Sequence, residues 1–305
     1  MKDRQNIHGS WASRWVFIMA ATGSAVGLGN IWKFPYIAGE NGGGAFVLVY
    51  LLFILAVGVP IMMAEVLVGR RGRQSPINSM REVAIEADHS PKWAMVGWVG
   101  ALAGFLIFSF YSVVAGWVLA YVAAMANGEF LDVGSEQAGK AFSELLANPQ
   151  SMLIWHSVFV VLVMAVLMGG VNKGLERATK VMMPALFVLL LLLLGYAMSS
   201  GSFGEGLDFL FHFDLSELTW NAVLVALGHS FFTLSLGMGS IMAYGSYMPK
   251  SASIGATVLT IAALDTIVAL VAGMAIFPIV FANSLDPGKT TMRRTCASHA
   301  DGAMS

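Results

Sequence analysis

The sequence predicts an all-α polytopic membrane protein. Three observations carry that expectation. Of its 305 residues, 57% are hydrophobic and only 11% charged, with a mean hydropathy of +0.73. The apolar residues gather in runs of about 20 or more, the length a helix needs to cross a hydrocarbon core. Lysines and arginines fall in alternate loops between these runs, as they do in helical membrane proteins. A net charge of −1 gives no electrostatic footprint for nucleic acid. The single cysteine, Cys296, excludes an internal disulfide framework and argues against a thiolate metal site. The N-terminus lacks the short apolar core and small-residue cleavage site of a signal peptide, so the first span is expected to stay in the mature chain.

Seven spans are expected, at about 13–37, 43–69, 94–126, 151–169, 179–200, 218–247 and 252–283. The first contains Gly-Ser-Ala-Val-Gly-Leu-Gly-Asn-Ile-Trp-Lys-Phe-Pro, Gly23 to Pro35, where the middle of a membrane helix should be. A glycine costs about 1 kcal/mol against alanine in a helix interior, and irregular backbone at membrane depth survives only where it lines a protein-enclosed or watery cavity. Glycines alone would serve close helix packing equally well; Asn30 and a second interruption favour a break at Ala25–Gly29. The second span carries one acid, Glu65, read as a structural carboxylate bonded to a neighbouring break. Spans three and four are uninterrupted. The fifth is led in by Gly174 to Pro184, which reads as a loop feeding a helix, with Pro184 near the first turn, where a missing N–H costs least. The sixth is interrupted by Phe231-Phe232-Thr233-Leu234-Ser235-Leu236-Gly237-Met238-Gly239-Ser240. The seventh holds Asp265, and an ionisable residue inside a span marks function by default.

Orientation follows from the cations. One set of loops holds Lys2, Arg4 and Arg14, then Arg70, Arg71, Arg73, Arg81 and Lys92, then Lys173, Arg177 and Lys180, and finally Lys250. The opposite loops, about 127–150 and 201–217, hold only Lys140 among many acids. The N-terminus is therefore expected to be cytoplasmic. Residues 288–305 depart from this scheme: they are polar, include Lys289, Arg293 and Arg294, and follow the seventh span with no further apolar run. A disordered terminus is one reading; a truncation or reading-frame change of a longer protein is the preferred one.

Gly23 to Pro35, with the following Glu40-Asn41-Gly42-Gly43-Gly44-Ala45-Phe46, closely resembles the first-helix signature of neurotransmitter:sodium symporters. Phe231 to Ser240, Gly174 to Pro184 and Tyr111-Ser112-Val113-Val114-Ala115-Gly116-Trp117 match the same family, in register from about Trp11 to Pro287. The Gly237-Met238-Gly239 break and Asp265 make the chain similar to the bacterial branch that carries hydrophobic amino acids. The resemblance implies two inverted five-helix repeats with helices 1 and 6 broken. Residues 1–200 would form the first repeat, broken near 24–29. Residues 201–287 would begin the second, broken near 235–240, and leave it incomplete. Paired interruptions five helices apart are the sequence pointer to such repeats, although that rule was drawn in part from this same family.

The resemblance also implies a site. The amides of Leu28 and Gly29 would meet the carboxylate of an amino acid, with the Tyr111 hydroxyl as a further donor. The amine would meet carbonyls and hydroxyls around Ala25, Phe232, Thr233 and Ser235. Ile107, Tyr111, Phe232, Ser235 and Met238 would wall the side-chain pocket. One sodium ion would take the Ala25 carbonyl, Asn30, Thr233, Asp265 and the solute's own carboxylate. A second would take the carbonyls of Gly23 and Val26 plus hydroxyls from an eighth helix. Asp265 would supply the negative charge that chloride supplies in relatives, so chloride is not expected to be required. Trp11, Lys33, Tyr111 and Phe232 would form gates. Lys33 stands where an arginine is usual and loses its bidentate fork, while His8 and His229 replace other polar residues. The resemblance thus implies sodium-coupled symport of neutral or hydrophobic amino acids in the cytoplasmic membrane. The alternative is a non-transporting membrane fragment or interaction partner; the 305-residue form is expected not to transport and a longer version to do so. An enzyme is disfavoured: no nucleophile–base pair appears, and Gly27-Leu28-Gly29 lacks the strand a nucleotide motif requires. Oligomeric state and exact solute are not readable.

Overall fold

The computed structural model describes residues 14–131, 133–249, 251–285 and 287. Trp11, His8, Lys250 and the tail 288–305 lie outside them. The described chain is helical throughout: α1 (Arg14–Ala25), α2 (Phe34–Glu40), α3 (Gly44–Phe53), α4 (Val59–Gly72), α5 (Pro76–Glu86), α6 (Ala94–Ala126), α7 (Ser135–Ala147), α8 (Pro149–Met168), α9 (Glu176–Met198), α10 (Phe203–Phe211), α11 (Trp220–Thr233), α12 (Ser240–Ser246) and α13 (Ile254–Ala282). Among the described residues, five helical runs are long and apolar enough to cross a membrane unbroken: Gly44–Gly72, Pro91–Ala126, Pro149–Met168, Glu176–Met198 and Ile254–Ala282. With the two interrupted spans, α1–α2 and α11–α12, they make a multi-pass membrane protein.

The chain divides by contact into two compact units, residues 1–101 with 179–305, and residues 102–178. This is a spatial division, distinct from the sequence halves expected above. In the first unit α4 packs on α12, α10 on α13, α11 on α3, and α1 on α13. Glycines set the closest approaches. A Cβ on Gly69 would overlap the Met242 carbonyl, and one on Gly245 would sit 2.9 Å from the Val66 carbonyl, so α4 and α12 touch backbone to backbone. Arg70 and Arg73, at the end of α4, donate to the carbonyls of Ala252 (2.8 Å) and Ser246 (3.3 Å), closing the same interface.

Two element ends differ from expectation. The helix holding Pro184 starts at Glu176, so Pro184 lies well inside α9, and a π-type turn at Gly170–Leu175 precedes it where a loop was expected. Proline is tolerated inside membrane helices because neighbouring groups satisfy the carbonyl it frees. The first interruption also falls later than Ala25: that residue closes α1, Val26 and Gly27 are bent, and from Gly29 the chain winds as a π-type turn to Lys33 that runs into α2. In the sixth span α11 ends at Thr233 and α12 begins at Ser240. Between them Ser235, Gly237 and Gly239 all take positive φ (56°, 80° and 77°). Glycine adopts that geometry freely; serine does so at a cost, which marks Ser235 as held in place.

Candidate functional site

The two interruptions meet each other and α13. Asn30 sits in the winding after the first gap, Thr233 is the last residue of α11, and Asp265 is midway along α13; their exposures are 0%, 1% and 0%. The Asn30 side-chain amide donates to Asp265 Oδ1 (2.8 Å), to the Asp265 carbonyl (3.1 Å) and to Thr233 Oγ1 (3.2 Å). The Thr233 hydroxyl donates to Asp265 Oδ2 at 2.9 Å. Asn30 Oδ1 accepts from the Gly27 N–H at 3.1 Å, pinning the side chain into the gap. Buried polar groups at membrane depth cost several kcal/mol each unless bonded, and here the three side chains satisfy one another. The hard-oxygen atoms gathered here are the Thr233 hydroxyl and the Asp265 carboxylate and carbonyl, while Asn30 turns its amide N–H to them and its Oδ1 to Gly27. Ala25 is buried and closes α1. Oxygen donors of this kind suit an alkali or alkaline-earth cation rather than a soft metal.

The other expected residues are placed as follows. Gly29 is buried and Leu28 half-buried at the start of the winding after the gap, where N–H groups lack helical acceptors. Phe232 is half-buried on α11, and Ser235 and Met238 lie in the second gap. The Ser235 carbonyl accepts from the Ser240 hydroxyl at 3.2 Å. Gly23 faces α9, where a Cβ would sit 3.2 Å from Met183 Sδ and 3.2 Å from Thr179 Cγ2. Val26 lies in an apolar cluster with Met183, Leu190, Val268 and Ala272. Lys33 Nζ stands 5.8 Å from the Trp32 ring and 5.5 Å from the Tyr36 ring, a cation–π arrangement. Ile107 and Tyr111 lie on the part of α6 that belongs to the second unit. Trp11 is outside the described residues.

Glu65 Oε1 accepts the Gly237 N–H at 2.7 Å, so the carboxylate of α4 holds the second gap open, the structural role read from sequence. One neighbour was missed. Tyr50, fully buried on α3, packs its ring 5.4 Å from His229 and 5.3 Å from Phe34, with Phe46 at 6.4 Å. His229 is stacked 5.9 Å from Phe34 and 6.3 Å from Phe232. This box of rings backs Thr233 from one side. A tyrosine inside an apolar run was the available signal, and it also suits an interfacial anchor.

Apolar helices interrupted around a buried polar cluster define a polytopic membrane protein. The chain belongs to the sodium:neurotransmitter symporter family, whose model matches residues 8–130 and 143–290. It is 42% identical over 279 residues to an uncharacterized sodium-dependent transporter, YhdH, of Bacillus subtilis, covering 92% of this chain and 61% of that protein. It is 32% identical to an uncharacterized sodium-dependent transporter of Haemophilus influenzae, covering 94% and 63%. Among solved structures, MhsT in complex with L-phenylalanine matches with a TM-score of 0.86 and 45% identity over 93% of this chain and 64% of that one. The fold is therefore that of the family's transporters, and this chain spans less than two thirds of the length of these relatives.

Proposed function

We propose that the chain is part of a transporter that carries out sodium-coupled symport of a neutral or hydrophobic amino acid across the cytoplasmic membrane, by alternating access, with its N-terminus in the cytoplasm. The observation that carries this reading is the Asn30–Thr233–Asp265 cluster, which ties both interrupted spans to α13 through buried hydrogen bonds. The names of the relatives support sodium as the driving ion, and the phenylalanine in the MhsT complex supports an amino-acid solute. A neutral amino acid transporter of mouse, B(0)AT2, 26% identical, points to the same solute class.

A zwitterion buried unpaired would cost many kcal/mol. The amides of Leu28 and Gly29 offset the carboxylate's share, and oxygens near Ala25, Phe232, Thr233 and Ser235 the amine's. Sodium binds Asn30, Thr233, Asp265 and the Ala25 carbonyl, sharing the solute's carboxylate, so that each strengthens the other's binding. The carbonyls of Gly23 and Val26 serve a second ion. Asp265 makes chloride unnecessary, and Met238, flexible and polarizable, accommodates varied apolar side chains. Ile107 and Tyr111 are assigned to the solute, and Lys33 and Trp11 to the gates, by the family pattern. Residues 1–200 and 201–287 are assigned to successive inverted repeats on the same ground.

Binding of labelled leucine to the purified protein in sodium and in potassium tests the reading. Retention in sodium and loss in potassium is the expected outcome; equal retention in both, or none in either, overturns it.

A further inference from the structure

The second unit contains a cavity of its own, about 380 Å³ in volume, where the end of α6 and the first turns of α8 meet α7. All its lining residues belong to that unit. They include Tyr121, Asn127, Glu129, Phe130, Glu144 and Trp155. The Tyr121 and Phe130 rings lie nearly parallel, 5.2 Å apart with 18° between their planes. Phe142 stands behind this wall, 6.2 Å from Tyr121 and in an edge contact 5.5 Å from Trp117.

The charge of the cavity is one-sided. Glu129 and Glu144 line it, and among the described residues no lysine or arginine does. Neither glutamate has an ion-pair partner among the described residues; Lys140, one turn before Glu144 on α7, has an interaction of its own. Carboxylates on an exposed loop are ordinary. Carboxylates set beside aromatic faces in a concave site of ligand size are a recognition pattern, because the ring faces and the carboxylates attract the same positive charge. An inorganic ion makes no use of the rings. A zwitterion would bring a carboxylate beside Glu129 and Glu144, with only neutral donors such as Asn148 and Ser151 to offset the repulsion. An ammonium group on an apolar body satisfies both kinds of wall, with the Asn127 side-chain carbonyl as a further acceptor.

We propose that this cavity binds organic ammonium cations that lack a carboxylate, arylalkylamines in particular, as a second ligand site separate from that for the transported solute. The loops that build it are the acidic ones, which the charge rule puts on the outer face, so an amine in the medium reaches it without crossing the membrane. The proposal does not depend on the transport reading.

Equilibrium dialysis of labelled phenethylamine against the full chain in lipid nanodiscs, in potassium buffer without sodium, tests it. Saturable binding is expected, displaced by unlabelled tryptamine and not by phenylalanine or 3-phenylpropionate. Glu129→Gln and Glu144→Gln should each weaken it about fivefold, the ratio an exposed ion pair at the upper end of its range supplies. The double variant should lose about tenfold or more, whereas Glu129→Asp with Glu144→Asp, which keeps the charge, should retain it. Both glutamates are exposed, so a monodisperse gel-filtration profile and an unchanged melting temperature should accompany the loss. Absence of saturable binding, full binding by the double glutamine variant, or equal competition by 3-phenylpropionate overturns the proposal.

Discussion

Asn30, Thr233 and Asp265 come from three different elements, and each is hydrogen-bonded to the other two. Removing one therefore leaves buried groups without partners, at about 1–3 kcal/mol for a neutral donor or acceptor. Thr233→Val, nearly isosteric, should lower thermal stability by about that amount and raise the sodium concentration needed for half-maximal leucine binding. A thermal melt with a sodium titration reads both, and an unchanged sodium requirement contradicts the assignment. Asp265 bears a more specific expectation. Leucine uptake by the functional protein should be the same in chloride and in gluconate, and Asp265→Asn should make it chloride-dependent or abolish it. An asparagine variant with unaltered ion dependence removes Asp265 from the charge balance.

At the level of elements, the interruptions are held open by what packs against them. Glu65 reaches from α4 to the Gly237 N–H, and the glycine contacts of α4 with α12 leave no room for a side chain. Gly69→Ala should therefore destabilise the fold by overpacking, about 1–3 kcal/mol, whereas Gly255→Ala, whose nearest neighbour would be Met63 Cε at 3.8 Å, should be close to neutral. Comparing the two melting temperatures checks this, and equal values contradict it. The interruptions were legible in the sequence because Asn30 and a second cluster of small residues accompany glycines that alone would serve close packing; Glu65 was legible because a lone acid in a span needs a donor. The start of α9 was not, because Pro184 reads as a helix start in water and is tolerated inside a helix in a membrane. Nor was the ring box of Phe34, Tyr50 and His229, since pairing across α2, α3 and α11 leaves no mark on any one of them.

For the whole molecule, the proposed symport has to draw work from ion gradients. One charge moved through about 100 mV is worth about 2.3 kcal/mol, and a tenfold sodium gradient adds about 1.4 kcal/mol per ion. Two ions would supply roughly 7 kcal/mol, enough for about five decades of solute accumulation. Such work is transmitted only if ion and solute bind interdependently at the junction of the two interrupted spans. The factor by which sodium raises leucine affinity must then equal the factor by which leucine raises sodium affinity. The most direct test is a paired titration of the purified protein, leucine at a series of sodium concentrations and sodium at a series of leucine concentrations. Equal factors well above one, both falling to one in Thr233→Val, are the expected result; a leucine affinity that does not change with sodium would contradict the account.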